Sequence, residues 1–357
     1  MNPQNRAIRL LGLVLGVQLL LVAATWLTGG RSPGQQSHAL LALDAGDITA
    51  LEISTKPGED GKPAESVKLV KEGTEWVVST AGNYPAQKDK VEEIVKKLAA
   101  MKVKQPLATQ AANHNALRVG KETYGKDVVV TAGSTTKKLV VGSGASSSIH
   151  IRFADSNDVY QGRGLSEYQV SSSARSYVEP QYIKSDSDKL SAIRVQSSRG
   201  TLTFRKDATK WNLAELPPGV ELDDSKVTAF VSQLARVSLD RPVGKEITSE
   251  MGLEAGVTVV LEGMEADKPI TIEYVVGAQA GAAETDGFYV KAKDNAFVVV
   301  ASKWATEGPR TKVVDDFIKK PEQAAADANG EAGQGMMPPG MMPPGMMPPG
   351  FAPPGGE

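Results

Sequence analysis

The chain has 357 residues, 41% of them apolar and 23% charged, with a formal net charge of −2. These proportions support a packed core over one or two domains, and the near-neutral balance excludes the broad basic face that nucleic acid requires. Cysteine is absent, which removes disulfides, thiolate nucleophiles, iron–sulfur clusters and cysteine-type zinc sites.

The first element is apolar. No charged residue occurs from Leu10 to Gly30, and about 20 helical residues at ~1.5 Å each cross a hydrocarbon layer of ~30 Å. Arg6 and Arg9 precede the stretch and only Arg31 follows closely. The excess of positive charge on the N-terminal side keeps that end in the cytoplasm and places the rest outside. A cleaved signal peptide would have a shorter apolar region, about 7–15 residues, followed by a small-x-small site. The reading is therefore a cytoplasmic N-terminus over 1–9, a retained transmembrane anchor over 10–30 with Trp26 near its outer end, and a linker over 31–42. A lipoprotein is excluded, because there is no cysteine to acylate.

Next come two similar stretches. Around Trp76 the sequence reads VKLVKEGTEWVVSTAGNYPAQKDKVEEIVKKLAAMKV, and around Trp211 it reads LTFRKDATKWNLAELPPGVELDDSKVTAFVSQLARVSL. Each predicts an alternating strand, a charged turn, a Trp strand, a Pro-containing loop and an amphipathic helix. Val91, Ile94, Val95, Leu98 and Met101 recur as Val227, Phe230, Val231, Leu234 and Val237, at the spacing of one helical stripe. Asp223, Asp224 and Ser225 are N-cap candidates for the second helix. Upstream, ITALEI (Ile48 to Ile53) resembles LSAIRV (Leu190 to Val195). Downstream, KLVVGS ending at Ser143 resembles EYVVGA ending at Ala278, and IHIRFADSNDVYQG resembles FYVKAKDNAFVVVA, each a hairpin with an Asp/Asn turn.

The expected fold is therefore α+β: two tandem copies, over 43–180 and 187–320, of a mainly antiparallel sheet with one helix on its face, after one transmembrane helix. About four short strands are expected after each helix. The polar stretch SSSARSYVEPQYIKSDSDK supplies the boundary. Residues 321–357, with three MMPPG pentapeptides and FAPPG, predict a disordered tail with no packed core.

No constellation of chemical residues emerges. His38 falls in the linker, His114 in a polar loop, and His150 on an alternating strand whose spacing turns it towards solvent, so all three read as plain surface residues. Ser146 to Ser148 with His150 lack a nucleophile-elbow pattern, and serines after glycine mark turns. VGSGASSS lacks the Lys-Ser/Thr of a phosphate loop. The pairs Asp223–Asp224 and Asp315–Asp316 lie at helix ends, where capping accounts for them. Trp76 and Trp211 hold equivalent places and read as core; Trp304 is less readily placed. No catalytic, cofactor-binding or metal-ligating residue is assigned. The six methionines of the tail are soft thioether ligands suited to Cu(I), although such low-complexity tails also arise as tolerated extensions.

ITALEI, the KEGTEWVV and RKDATKWNL strands, the two matching helices, the VVG strand ends and the IRF…DVYQG hairpin together resemble the bacterial domain-of-unknown-function 4340 family, over most of Leu43 to Lys320; the anchor and the tail lie outside the repeat. That resemblance implies an accessory component of ABC-type export systems related to gliding-motility transporters, and carries no catalytic residues. The expected function is a non-enzymatic, single-pass protein of the bacterial inner membrane, its bulk extracytoplasmic and its partner a protein such as an ABC transporter permease. The alternatives are an envelope-acting hydrolase with an unrecognised site and copper binding by the tail.

Overall fold

The computed structural model describes residues 15–24, 37–57 and 64–319. Residues 15–24 form a helix, α1, with Leu15, Val17, Leu19, Leu20, Leu21 and Val22 exposed. Among the described residues no helix is long and apolar enough to cross a membrane. The proposed span over 10–30 extends past α1 on both sides into residues outside the described set. The proposed cytoplasmic segment 1–9 and the tail 321–357 lie wholly outside it.

The rest is mixed α+β and dominated by antiparallel strands. The first half contains β1 (His38–Ala39), β2 (Ile48–Ser54), β3 (Ser66–Glu72), β4 (Glu75–Val78), β5 (Tyr84–Pro85), helix α2 (Lys88–Ala99), β6 (Lys102–Val103), β7 (Lys126–Ala132), β8 (Thr135–Ser143), β9 (Ser148–Phe153) and β10 (Tyr160–Arg163). The second contains β11 (Gln181–Lys184), β12 (Leu190–Ser197), β13 (Gly200–Asp207), β14 (Lys210–Leu213), helix α3 (Asp224–Ala235), β15 (Arg236–Gly244), β16 (Val257–Glu265), β17 (Lys268–Gln279), β18 (Phe288–Ala292), β19 (Val298–Ala301) and helix α4 (Lys303–Thr311). Five strands follow each helix, one more than the sequence pattern suggests.

An eight-stranded sheet runs β10-β9-β8-β7-β2-β3-β4-β5, and a nine-stranded sheet runs β11-β15-β19-β18-β17-β16-β12-β13-β14. Seven strands therefore follow one order in both sheets, from β10 to β4 and from β19 to β14. The likeness extends to irregularities. The ladder between β2 and β7 shifts register between Ile48 and Ala50, and that between β12 and β16 shifts between Leu190 and Ala192. Asp44 and Asp186 each accept from a backbone N–H two residues on, capping the short 3-10 turn that leads into β2 and β12. β1 pairs with β6 just as β11 pairs with β15, each joining the strand that follows the helix. Thus the stretch expected as a linker over 31–42 contains a strand, and the polar boundary segment contains β11.

Alternation explains how the sheets face the core. In β13, Leu202 and Phe204 are buried while Thr201 and Arg205 are exposed, as a half-buried strand requires. Against the inward faces lie the helix stripes: Val91, Ile94, Val95 and Leu98 of α2, and Val227, Phe230, Val231 and Leu234 of α3, all buried. Gly142 and Gly277 end the two VVG motifs because a Cβ there would collide with the carbonyl oxygens of Arg118 and Met251. One hydrophobic cluster runs through both halves. Tyr84 meets Phe297 across the junction, with ring centroids 4.8 Å apart, and Arg175 pairs with Asp240 at 3.1 Å.

Each half closes in the same way. The backbone N–H of Gln87, the N-cap of α2, donates to the carbonyl of buried Tyr177 at 2.6 Å; that of Asp223, the N-cap of α3, donates to the carbonyl of buried Phe317 at 2.8 Å. Phe317 also meets Phe204 edge-on and Phe230 at a tilt, at centroid distances of 5.2 and 5.1 Å. The Asp223 carboxylate accepts from the Ser225 and Lys226 N–H groups at 3.1 and 3.3 Å. The Ser225 hydroxyl, with help from Lys226, holds its pKa below the usual carboxylate range.

Two outcomes follow. Phe317→Ala lowers stability by about 3–5 kcal/mol in denaturant unfolding, because it empties a closed aromatic cluster. A depressed folded-state pKa stabilises above the unfolded value and is lost as pH falls. Asp223→Asn, which keeps a capping acceptor, therefore flattens the loss of stability below about pH 4 relative to the natural chain.

Candidate functional site

The residues singled out in the sequence are placed first. His114 is buried, not a surface group, and donates from Nε2 to the Asn157 carbonyl at 2.9 Å. His150 is half-buried and donates from Nδ1 to the Leu117 carbonyl at 3.0 Å, so it does not turn freely to solvent. Arg152 adds a bond from Nε to the Val119 carbonyl at 2.8 Å, and its Nη1 donates to the Phe153 and Ala154 carbonyls. Together these three side chains pin the long connection between β6 and β7 onto the hairpin of β9 and β10. Loop carbonyls have no ladder partner and must be met by side chains, and the periodicity of β9 alone could not reveal that demand.

The other candidates are local. Exposed His38 meets Tyr160 edge-on at 5.9 Å. Ser148 Oγ donates to the Ala145 carbonyl within a tight turn where Ser146 has φ of +55°. Asp316 accepts from the Val313 N–H at 2.9 Å, closing the 3-10 turn that carries Phe317. Trp76 and Trp211 are buried, whereas Trp304 on α4 is 71% exposed. His114 and Arg152 line one polar cleft of about 540 Å³ with Glu122 and Asp155, and His38, Ser148, Asp316 and the tryptophans are not among its walls. Among the described residues no group of three His, Asp or Glu side chains is placed to hold a metal.

A wide cleft lies elsewhere, in the second half. It has a volume of about 960 Å³ and is walled by Gln181, Lys184 and Ser185 at β11, Arg236 at the start of β15, Glu265 at the end of β16, and Pro269 to Ile272 of β17. β11 is the last strand of its sheet, so one of its edges has no ladder. β17 pairs with β16 from Lys268 onward but meets β18 only from Tyr274. Both walls thus present backbone groups without a neighbouring strand.

β11 is held firmly. The Tyr182 hydroxyl donates to the Phe297 carbonyl at 2.6 Å and accepts from the Ala292 N–H at 2.9 Å, and burial pushes its pKa up to about 12. The Gln181 amide donates to Ser238 Oγ at 3.0 Å, while its Oε1 is buried with no donor among the described residues.

Charge in the cleft is unevenly matched. Lys189 pairs with Glu265 at 3.0 Å, and the Asp186 carboxylate is engaged by the Asp188 N–H at 3.1 Å. Hydrogen bonding to Glu265 raises the Lys189 pKa. Lys184 and Arg236 stand directly opposite one another in the ladder, both exposed, and neither has a carboxylate partner among the described residues. Like charges facing across a ladder repel. Sequence reading missed this pair because β11 lies in a segment too short and polar to show a strand pattern.

The fold and cleft define a class: an antiparallel α+β protein with a wide, polar cleft bordered by open strand edges. A family model described as Domain of unknown function (DUF4340) matches residues 76–256, and the chain belongs to that family. The match begins at Trp76 in β4 and ends just before β16, so it spans parts of both halves. Searches of curated proteins and of solved structures returned no match.

His114→Ala removes a buried donor and leaves the Asn157 carbonyl unmet, at a cost of about 1–3 kcal/mol. Amide exchange in residues 104–125 is expected to accelerate more than in α2 or α3.

Proposed function

We propose that this chain is a non-enzymatic accessory protein, anchored to the bacterial inner membrane by one N-terminal helix, that binds a partner of an ABC-type transport complex outside the cytoplasm. Its two similar halves are read as copies of one duplicated unit. The observation that carries the reading is the apolar helix α1. Leu15, Val17, Leu19, Leu20, Leu21 and Val22 all lie exposed on it, Leu20 at 71%, whereas the large apolar side chains exposed elsewhere among the described residues, such as Leu107, Ile247 and Trp304, are scattered singly. Leaving that surface in water costs about 25 cal/mol per Å², and a lipid phase removes the cost. The uncharged run from Leu10 to Gly30 supplies enough length for a span.

The partner role draws on the cleft and on the work given to the chemical side chains. His114, His150 and Arg152 hold loops in place, whereas open strand edges are surfaces by which sheets recruit another chain. The family membership fits this reading, with the ABC association entering through resemblance.

Alkaline carbonate extraction of membranes, followed by crosslinking and mass spectrometry, tests both parts. The chain is expected to stay with the membrane fraction and to crosslink to a permease subunit. Release into the wash would remove the anchor, and retention without any transport component among the crosslinks would remove the assigned partner.

A further inference from the structure

We infer that the cleft between β11 and the start of β17 receives an extended, acidic segment of a partner protein, added as a strand. The inference deepens the partner-binding reading above and rests on it for the identity of the partner, though not for the chemistry of the site.

Three observations converge. The first is backbone geometry. β11 ends its sheet, and Pro269 to Ile272 lack a neighbour on the side away from β16, so two strands wall one cleft with unmet hydrogen-bonding groups. An extended chain satisfies such groups residue by residue, and this is the usual physics of strand addition. Glu273 accepts from the Lys293 N–H on the β18 side, so by alternation Thr271 and Pro269 face the open side while Ile270 and Ile272 face β16. Proline has no N–H to offer, and pairing on β17 is confined to Thr271 and the carbonyl of Pro269.

The second is charge. Lys184 and Arg236 face each other across the β11–β15 ladder, exposed and without a carboxylate partner among the described residues. Two cations held this way repel, and an incoming carboxylate relieves the repulsion. The two acidic groups in the wall are already engaged, Glu265 by Lys189 and Asp186 by the Asp188 N–H. They limit the attraction without reversing its sign.

The third is Gln181. Its Oε1 is buried among the wall residues with no donor, and buried acceptors are nearly always met. An added segment can supply the donor once the Gln181 amide turns into the cleft, giving up its single bond to Ser238. Tyr182, fixed at both ends of its hydroxyl, keeps β11 from shifting to meet the demand itself.

The test uses the full chain in detergent or lipid nanodiscs, with two fluorescent peptides as probes: one alternating glutamate and valine, the other alternating lysine and valine. The acidic peptide is expected to bind and the basic one not to bind, with affinity falling as salt is added. Lys184→Glu should weaken binding roughly fivefold or more. It should also leave the fold at least as stable, because it sets opposite charges across the ladder. Loss of binding therefore cannot be ascribed to unfolding. Hydrogen exchange should show new protection at β11 and at Thr271 when the peptide is bound.

Equal binding of both peptides, or acidic binding unaffected by Lys184→Glu, overturns the assignment. So does binding without protection of those amides. Protection that rises with protein concentration and no peptide points to a second copy of the chain and overturns it too. A chain that binds the peptide but washes off membranes refutes the anchor alone. One that stays in membranes and ignores the peptide refutes this inference alone.

Discussion

A lone amphipathic helix cannot hide its apolar stripe, and a sheet with one apolar face is in the same position. Here each supplies the cover for the other. Val91, Ile94, Val95 and Leu98 on α2, and Val227, Phe230, Val231 and Leu234 on α3, are buried against strands whose inward residues alternate with exposed ones. The first strand of each half pairs with the strand leaving the helix. The last turn of each half presents a carbonyl that accepts from the backbone N–H of the helix N-cap. Both devices hold the helix against the sheet at its two ends, and an N-cap bond of this kind meets one of the orphan N–H groups that every helix start carries.

The same constraint explains which parts were legible in the sequence. The helix stripes, the Trp strands and the VVG strand ends were readable because each must repeat a spacing or exclude a Cβ in order to pack. β1 and β11 were not, since two and four residues show no alternation. Nor could a spacing reveal Phe317, whose role is partly that of its backbone carbonyl. The expectation that His114 and His150 were surface groups failed for a related reason. A long loop with unmet carbonyls draws polar side chains inward, and the identity of those carbonyls is known only once the loop is folded. The wall pair Lys184 and Arg236 is a product of register, which the sequence does not display.

Conservation of architecture and freedom of surface go together in this arrangement. Helix, Trp strand and hairpin occupy matching places in both halves, and the polar side chains met along the way mostly serve loops and turns. What differs between the halves is at the margins. β5 covers the outer edge of β4 in the first sheet, whereas β14 ends the second. β11 is long enough to wall a cleft, whereas its counterpart β1 has two residues. Two halves with matching cores leave such edges free to differ, and the second half carries the more open set.

The most direct measurement of the shared helix-and-sheet arrangement is residue-resolved hydrogen exchange on the full chain under native conditions. If both helices are sealed by their sheets, amides from Val91 to Leu98 and from Val227 to Leu234 exchange in two equally slow groups, opening only with global unfolding. Rapid exchange throughout one helix, with the other protected, would contradict it and leave that helix resting on the surface.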